Sequence, residues 1–466
     1  MKILARKKEL FSLIIIILLL IALPLLLNLI SRVQIYLTEA LGQEAKIIID
    51  VSIDQGLVTP IWQGLAQGGE EKNPFDQIIK ETTALNPKYI RIDHLYDYYD
   101  VVKKENGQLS FDWTKLDLVV NQIIQTGAKP YFSLSYMPAA IAQDNNIINP
   151  PVNWSDWSVI IQNTIQYYSG RSEKNLKDVA YEVWNEPDLF GNWRIGGEKD
   201  YRLLYKYAVI GASQTKNTNP FKIGGPSTTA PYRGWVTGFL NYIKDNHLRI
   251  DFYSWHRYSL SPIDFLADID QVDTWLHENA GYSLEKHITE WGSVSENSSY
   301  HDTNLDAAHL VAVIRQLIQR VDWAFTFEIK DGPSPTGEKY WGRWGLLTHE
   351  STGTIEKKPK YFALQLLNKM TGNRVFLEGE GTWVTGFATR DNQQIKIILV
   401  NFDKQGQHFE KVPVVINHLE NGTYAYQESY LLGASQKSTE TITDGSLQKE
   451  IPLSANNLVV IELTKT

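Results

Sequence analysis

The sequence predicts an α/β protein: a (β/α)8 TIM barrel with a C-terminal antiparallel β-sandwich and an N-terminal transmembrane helix. Three patterns support this fold class. Over residues 56–372, apolar runs of strand length alternate with longer amphipathic stretches. Residues 373–466 show short alternating runs between turn residues, which is typical of antiparallel strands. Residues 11–30 carry no charge and follow a basic flank.

The N-terminal segment predicts where the chain resides. Residues 1–8 are rich in Lys and Arg and are expected to stay in the cytoplasm. Residues 9–31 are long enough to cross a bilayer, for which about 20 apolar residues suffice. A cleaved signal peptide is the alternative, but its apolar part usually has about 7–15 residues. We therefore expect an uncleaved signal-anchor, a stem over 32–44, and a single-pass cell-membrane protein whose larger part lies outside the cytoplasm.

The barrel prediction depends on eight strand candidates joined by stretches with apolar residues three and four positions apart. One such stretch, 112–127, begins at a capping residue, Asp112, and ends at Gly127. A doubly wound open sheet is the alternative, but such a sheet seldom contains eight strand–helix units. The strand candidates are 61–66, 89–93, 130–135, 180–184, 221–225, 251–255, 287–291 and 324–329.

Three further segments complete the predicted organisation. Residues 304–320 have helical periodicity, and 359–372 is expected to be the last helix of the barrel. Residues 45–55 contain a β-branched run that lies outside the eight barrel strands. We expect this strand to join the sandwich.

Composition excludes several classes of function. The chain has no cysteine, which excludes disulfides, cysteine-ligated metals and thiol catalysis. Its net charge is −8, and no long basic run lies outside the first eight residues, so nucleic acid is not an expected partner. Aromatic residues make up 12% of the chain, which suits both sugar stacking and a large β-rich core.

Two glutamates follow barrel strands at the end where barrel enzymes carry their active residues. Glu186 follows the fourth predicted strand and Glu290 ends the seventh, each beside aromatic residues. A single glutamate at a strand end is most often solvated or ion-paired. Two carboxyl groups about 5–5.5 Å apart, however, are what retaining glycoside hydrolysis requires.

The residues around Glu186 suit an acid placed in a barrel mouth. Pro187 biases Glu186 away from the helical region and directs its carboxyl group inward. Asn185 can donate its amide to a sugar hydroxyl next to the acid. The ring of Trp184 provides an apolar neighbour of the kind that keeps a carboxyl group protonated.

Several motifs in order along the barrel resemble those of clan A glycoside hydrolases, and most closely those of glycoside hydrolase family 39. This is the family of β-xylosidases and α-L-iduronidases. The resemblance spans roughly residues 56–372, and a trailing β-sandwich is usual in the family. The motifs are KPYFSLSYMPAAIA (129–142), YEVWNEPDL (181–189), KIGGPSTTA (222–230), DFYSWHRYS (251–259), KHITEWGS (286–293) and the stretch at 344–370.

The resemblance implies roles for individual residues. It makes Glu186 the acid/base and Glu290 the nucleophile of a double displacement. Asn185 would bind the sugar, His256 and Tyr258 would line the site, and Tyr258 would hydrogen-bond Glu290. Arg91 resembles an arginine that keeps the nucleophile ionised. Two alternatives stay open. In one, Arg91 forms an ordinary ion pair of the barrel interior. In the other, His256 is a histidine at the barrel end that only makes structural hydrogen bonds.

The chain also departs from the family pattern at the walls of the sugar site. The family often has His directly after the Arg-aromatic pair of the second strand, where this chain has Asp93 followed by His94. Near the end of the eighth strand the family often has Trp, where this chain has the acid Glu328. Asp93 and His94 are predicted to bind substrate, and Trp341 or Trp344 is predicted to provide a stacking platform. Packing of both tryptophans over the barrel end is the alternative.

These observations together predict a membrane-tethered retaining glycosidase that acts on an oligo- or polysaccharide outside the cytoplasm. No cofactor and no metal are expected, because the histidines at strand ends do not have the spacing of metal ligands. A non-catalytic carbohydrate-binding protein on the same barrel is the alternative, and an unrelated metal-dependent barrel enzyme is a third possibility. The sequence indicates neither the sugar nor the oligomeric state.

Overall fold

The computed structural model describes residues 42–279, 283–392 and 394–466, and it confirms the predicted barrel. Eight parallel strands close into a barrel in chain order, the first beside the eighth. We number them first to eighth. They are Gly64–Gln67, Tyr89–Ile92, Lys129–Ser133, Val179–Glu182, Phe221–Thr228, Phe252–Tyr258, Glu285–Gly292 and Trp323–Phe327.

The predicted signal-anchor at 9–31, its flank 1–8 and most of the stem 32–44 lie outside the described residues. Within 42–279, 283–392 and 394–466, no helix is long and apolar enough to span a bilayer.

Amphipathic helices surround the barrel. Helix Thr114–Gln125 starts where the sequence predicts, because a carboxylate oxygen of Asp112 accepts the backbone N–H of Thr114 at 3.0 Å. The helix predicted at 304–320 ends earlier, at Leu317. The helices of the described residues are Ile79–Thr83, Thr114–Gln125, Trp154–Ser169, Tyr201–Ser213, Arg233–Asp245, Pro262–Asn279, Asn304–Leu317 and Pro359–Leu367.

The barrel interior is a packed core and not a channel. Aromatic side chains from the second, third, sixth and eighth strands fill it. The buried residues of this interior cluster are Ala66, Tyr89, Tyr131, Ala180, Phe252, Phe325 and Phe327.

The C-terminal part is β-rich, as predicted, but it differs from a purely antiparallel sandwich. It forms one nine-stranded sheet within the described residues. Strand Ile47–Leu57 enters it from before the barrel and pairs antiparallel with Asn373–Glu378 and parallel with Glu410–Asn417. The remaining strands are Val384–Asp391, Gln394–Asn401, Gly422–Tyr430, Gln436–Ile442, Ser446–Leu453 and Asn457–Lys465.

The sheet closes over an apolar core of its own. Tyr426 near one edge and Ile451 at the other edge belong to the same buried cluster, so the two halves of the sheet face each other. The opposite face of its central strands packs on the barrel helices. Arg315 of the barrel joins the two parts through a bidentate ion pair with Glu380, with distances of 2.8 and 2.6 Å.

Candidate active site

The structure brings the predicted strand-end residues of four strands into one cluster at the mouth of the barrel. Arg91 comes from the second strand, Asn185 and Glu186 follow the fourth, His256 and Tyr258 lie on the sixth, and Glu290 lies on the seventh. These six side chains are linked by direct contacts. Their grouping follows from the parallel barrel, which collects the carboxyl ends of all strands at one face.

The two predicted carboxylates face each other. One oxygen of Glu186 and one oxygen of Glu290 lie within 4.8 Å of each other. Nδ1 of His256 lies between them, 2.8 Å from Glu186 and 3.7 Å from Glu290. Nε2 of the same ring lies 2.8 Å from the hydroxyl of Ser227, so both ring nitrogens have partners.

Arg91 connects the cluster to the barrel interior. Its guanidinium donates to Glu182 at 2.8 Å and to the side-chain oxygen of Asn185 at 2.8 Å, and it lies 3.6 Å from Glu290. Arg91 and Glu182 are almost completely buried. Arg91 is therefore both an interior ion pair and a neighbour of Glu290, and its role in keeping the nucleophile ionised stays a prediction.

The donor environments of the two glutamates differ. Glu290 accepts a hydrogen bond from the Tyr258 hydroxyl at 2.7 Å and also faces Arg91 and His256. Glu186 has His256 as its close partner. Glu290 thus has the arginine and the tyrosine hydroxyl as neighbours, whereas the histidine is closest to Glu186.

Burial and charge shift the protonation of this cluster. Burial raises the pKa of Glu290, as does the neighbouring Glu186, while His256, Arg91 and the Tyr258 hydroxyl oppose the increase. Burial alone would lower the pKa of His256, but the carboxylates of Glu290 and Glu186 outweigh burial and raise it. The two carboxylates therefore favour the protonated form of the imidazole.

The turn that carries Glu186 has an unusual backbone. Trp184 and Glu186 have φ values of +78° and +43°, in the left-handed region that non-glycine residues seldom occupy. Glu186 does avoid the right-handed helical region, as Pro187 predicts. The Trp184 ring packs on Tyr136 and Trp193. Strained backbone of this kind clusters at functional sites.

Three site residues escaped the sequence analysis. Glu182 accepts a hydrogen bond from Arg91, and the Tyr136 hydroxyl accepts one from the side-chain amide of Asn185 at 3.0 Å. The Ser227 hydroxyl contacts His256. Glu182 had a signal, because a charge within the apolar strand AYEVW indicates a buried ion pair. Tyr136 and Ser227 lie inside the motifs at 129–142 and 222–230, but hydrophobic periodicity does not distinguish them from their neighbours in those motifs.

The residues that depart from the family pattern directly follow the second and the eighth strand. The His94 ring is in edge contact with Tyr136, and its Nδ1 lies 2.6 Å from Asp97. Asp93 is 8% exposed, and burial raises its pKa. Glu328 is fully buried and accepts a hydrogen bond from Gln67 at 2.9 Å.

The predicted stacking platform is partly covered. The guanidinium of Arg343 lies 3.6 Å from the centre of the Trp344 ring, and that ring also packs on Phe327. One face of Trp344 is therefore occupied, as the packing alternative expects. Trp341 is half-buried next to the same arginine, at 5.3 Å, and its role in stacking stays a prediction.

Among the residues that the structure describes, two clusters offer ligand atoms of the kind that bind a metal ion. The first is Glu186, His256 and Glu290, in which His256 is already hydrogen-bonded to Glu186. The second comprises Glu71, His349 and Glu350. The ammonium of Lys330 lies 2.5 Å from Glu71 and 3.0 Å from Glu350, so a cation already neutralises that second cluster.

Comparison with known proteins places this geometry in a family. The chain is 27% identical over 350 residues to a β-xylosidase of Caldicellulosiruptor saccharolyticus, which covers 68% of this chain and 70% of that protein. It is 24% identical over 304 residues to a β-xylosidase of Geobacillus stearothermophilus, which covers 58% of each chain.

Solved structures share the whole described architecture. The GH39 enzyme of Xanthomonas axonopodis pv. citri has a TM-score of 0.75 at 20% identity, over 91% of this chain and 98% of that one. A monomeric β-xylosidase of Caulobacter crescentus CB15 has a TM-score of 0.75 at 21% identity, over 90% of this chain and 99% of that one. The sequence model of glycosyl hydrolases family 39 matches residues 45–423. Because that match covers most of the chain, the protein belongs to glycosyl hydrolases family 39 and is a glycosidase.

Proposed function

We propose that the protein cleaves O-glycosidic bonds with retention of configuration, through a covalent glycosyl-enzyme intermediate. The separation of the two carboxyl groups carries this proposal. Oxygens of Glu186 and Glu290 lie within 4.8 Å of each other. Retaining glycosidases place their carboxyl groups about 5–5.5 Å apart, whereas inverting enzymes need about 6.5–9.5 Å to admit a water molecule.

The donors around each glutamate support the assignment of roles. Glu290 faces Arg91 and accepts from Tyr258, which stabilises the carboxylate form that a nucleophile needs. Glu186 lacks such contacts with arginine and tyrosine among the described residues, which suits the proton donor. Family resemblance supports the same roles.

The proposed reaction has two steps. In the first, a carboxylate oxygen of Glu290 bonds to the anomeric carbon while the bond to the leaving oxygen breaks, and that oxygen takes the proton of Glu186. In the second, a water molecule gives a proton to Glu186 and attacks the anomeric carbon, which releases Glu290. Arg91 and Tyr258 stabilise the negative charge that returns to Glu290.

A test of the roles compares substitutions of Glu186 and Glu290 with a substitution of Glu285, a control glutamate on the same strand as Glu290. Aryl β-xylosides are the first substrates to try, because the similar curated proteins are β-xylosidases, followed by glucosides, arabinosides, uronides and polysaccharides. Glu290→Ala should abolish turnover of every substrate. Glu186→Ala should retain more activity on leaving groups that need no proton. Glu285→Gln, at the opposite end of the seventh strand, should keep wild-type activity.

Two results would contradict the mechanism. Proton NMR that shows inversion of the anomeric configuration in the first-formed product would rule out the covalent intermediate. If the wild-type protein binds a glycan but cleaves none, the non-catalytic carbohydrate-binding alternative replaces the enzyme proposal.

We also propose that residues 9–31 anchor the protein in the cell membrane with the barrel outside the cytoplasm, where its substrate is an oligo- or polysaccharide. The support is the uncharged run and its basic flank in the sequence. The full chain should sediment with membranes and be degraded by protease added to spheroplasts. Recovery of the full chain in the soluble fraction would contradict the anchor.

A further inference from the structure

Three large apolar side chains are exposed on the loops after the fourth and fifth strands, and we refer to Leu189, Phe190 and Tyr232 as the rim. Their exposed fractions are 57%, 41% and 46%. The loop after the fourth strand has a buried apolar anchor of its own, since Trp193 is completely buried. The loop is therefore well packed, and Leu189 and Phe190 are exposed although the loop has a buried residue to hold it.

Phe190 is fixed at the edge of the site. Its backbone N–H donates to the carbonyl of Glu186 at 2.7 Å, and its carbonyl accepts the indole N–H of Trp184 at 3.0 Å. Its ring meets the ring of Tyr136 at 5.8 Å between centroids. The hydroxyl of Tyr136 in turn accepts a hydrogen bond from the side-chain amide of Asn185. The Phe190 ring is thus one side chain away from the catalytic cluster.

A polar clamp holds Tyr232 beside that loop. The carboxylate of Asp188 accepts the backbone N–H of Thr229 at 3.1 Å and the Thr229 hydroxyl at 2.5 Å. The Thr229 hydroxyl also lies 2.9 Å from the hydroxyl of Tyr232. Asp188 therefore joins the loops after the fourth and fifth strands, and through Thr229 it positions the Tyr232 ring.

The position of the rim indicates what it contacts. The acid gives its proton to the leaving oxygen, so the leaving-group sugar must lie on the Glu186 side of the bond that breaks. Pyranose rings have apolar C–H faces that pack on exposed aromatic rings. We propose that the rim is the binding subsite for the leaving-group sugar, with Phe190 and Tyr232 as its stacking surfaces, and that the enzyme selects glycans over glycosides with small leaving groups. This inference rests on the function proposed above.

The test compares two substrates that differ only on the leaving side. The disaccharide of the sugar identified in the aryl glycoside screen, beginning with xylobiose, has a ring to place on the rim. The glycosyl azide of the same sugar, beginning with β-xylosyl azide, has none. Phe190→Ala and Tyr232→Ala should each lower kcat/KM for the disaccharide about tenfold. Both variants should leave kcat/KM for the azide unchanged.

Control variants separate this effect from general damage. Phe409→Ala removes an aromatic ring that is 56% exposed in the C-terminal part, and it should leave both substrates unaffected. Asp188→Asn should weaken disaccharide hydrolysis, whereas Phe190→Tyr should keep it. Equal losses on disaccharide and azide, or no loss on either, would overturn the proposal.

A binding measurement keeps the rim testable if hydrolysis is not found. Glu290→Gln, with and without Phe190→Ala, is applied to an array of oligosaccharides. Binding that Phe190→Ala abolishes would support the rim even though the catalytic proposal had failed. Binding that survives the substitution, or no binding to any glycan, would overturn the rim as a sugar subsite.

Discussion

At the scale of single residues, the two carboxyl groups of the mouth differ because of the donors that surround them. Tyr258 and Arg91 both act on Glu290, and both oppose the rise in its pKa that burial causes. His256 lies between the pair, hydrogen-bonded to Glu186 at 2.8 Å and 3.7 Å from Glu290. The same side-chain chemistry can therefore supply a nucleophile and a proton donor only a few ångströms apart.

Tyr258→Phe tests this asymmetry. The hydroxyl lowers the pKa of Glu290, so its removal should raise that pKa further. If Glu290 must be ionised to attack, activity declines as the pH falls through its pKa, and the acidic limb of the kcat/KM profile should move to higher pH. Loss of a hydrogen bond to a charged group should also lower kcat/KM about tenfold to a hundredfold. Tyr96→Phe, which removes a buried hydroxyl bonded to Thr164, should change neither quantity.

Glu328→Gln tests the buried acid after the eighth strand. Burial raises the pKa of Glu328 well above its ordinary value of 4.5, and the charges of Glu70 and Asp331 add to this effect. The folded state therefore holds a proton that the unfolded state releases above that ordinary value, so stability falls as the pH rises from there toward the folded pKa. The glutamine variant should lose this decline, measured as Tm against pH. A decline as steep as that of wild type would show that Glu328 is ionised.

The site residues that the sequence could predict share one property. Glu186, Asn185, His256, Tyr258 and Glu290 stand at strand ends within motifs, and the barrel alone then brings them together. Tyr136 follows the third strand and Ser227 lies near the end of the fifth, and no periodicity encodes the backbone conformation that orients their side chains. The exposed aromatic rim was also missed, because exposure depends on how two loops meet.

At the scale of elements, alternation explains why the strand before the barrel belongs to the C-terminal sheet. Ile47, Ile49 and Val51 are buried in the core of that sheet, while Ile48 between them is 38% exposed. A strand with one buried face and neighbours on both sides stabilises the sheet through that face.

Ile49→Ala and Ile48→Ala therefore form a matched pair. Loss of the fully buried Ile49 side chain should lower the free energy of unfolding by about 2–5 kcal/mol, because the cavity cannot close completely. Ile48→Ala should cost less than about 1 kcal/mol. Urea unfolding of residues 42–466 measures both, and equal costs would contradict the burial pattern.

Other elements show the limits of periodicity. All eight barrel strands lie where apolar runs predict them, but the first begins later, because Ile61–Gln63 forms a 3-10 turn ahead of Gly64–Gln67. The hairpin of Val102–Glu105 and Gln108–Phe111 was not predicted, since its mostly exposed strands lack an apolar run. The parallel pairing of Ile47–Leu57 with Glu410–Asn417 depends on how the chain connects its strands, and a local sequence pattern contains no information about that.

At the scale of the whole molecule, one face of the sheet belongs to the apolar core of the barrel, while the other face encloses the sheet's own core. On strand Asn457–Lys465, Leu458 and Val460 pack with the barrel helices, while Val459 and Ile461 lie in the core of the sheet. Central strands buried on both faces read as continuous apolar runs, which is why VVIEL lacks polar alternation. Phe387 continues the contact, with its ring 6.2 Å from that of Trp62.

This continuity predicts that the barrel and the sheet unfold together. Calorimetry of residues 42–466 should show one transition whose calorimetric and van't Hoff enthalpies agree. Phe387→Ala removes a buried ring from the shared core and should lower the free energy of unfolding by about 3–5 kcal/mol while the transition stays single. Phe409→Ala, whose ring is exposed, should change it by less than about 0.5 kcal/mol. Two resolved transitions, with only one of them shifted by Phe387→Ala, would mean that the sheet folds independently and does not support the barrel that carries the site.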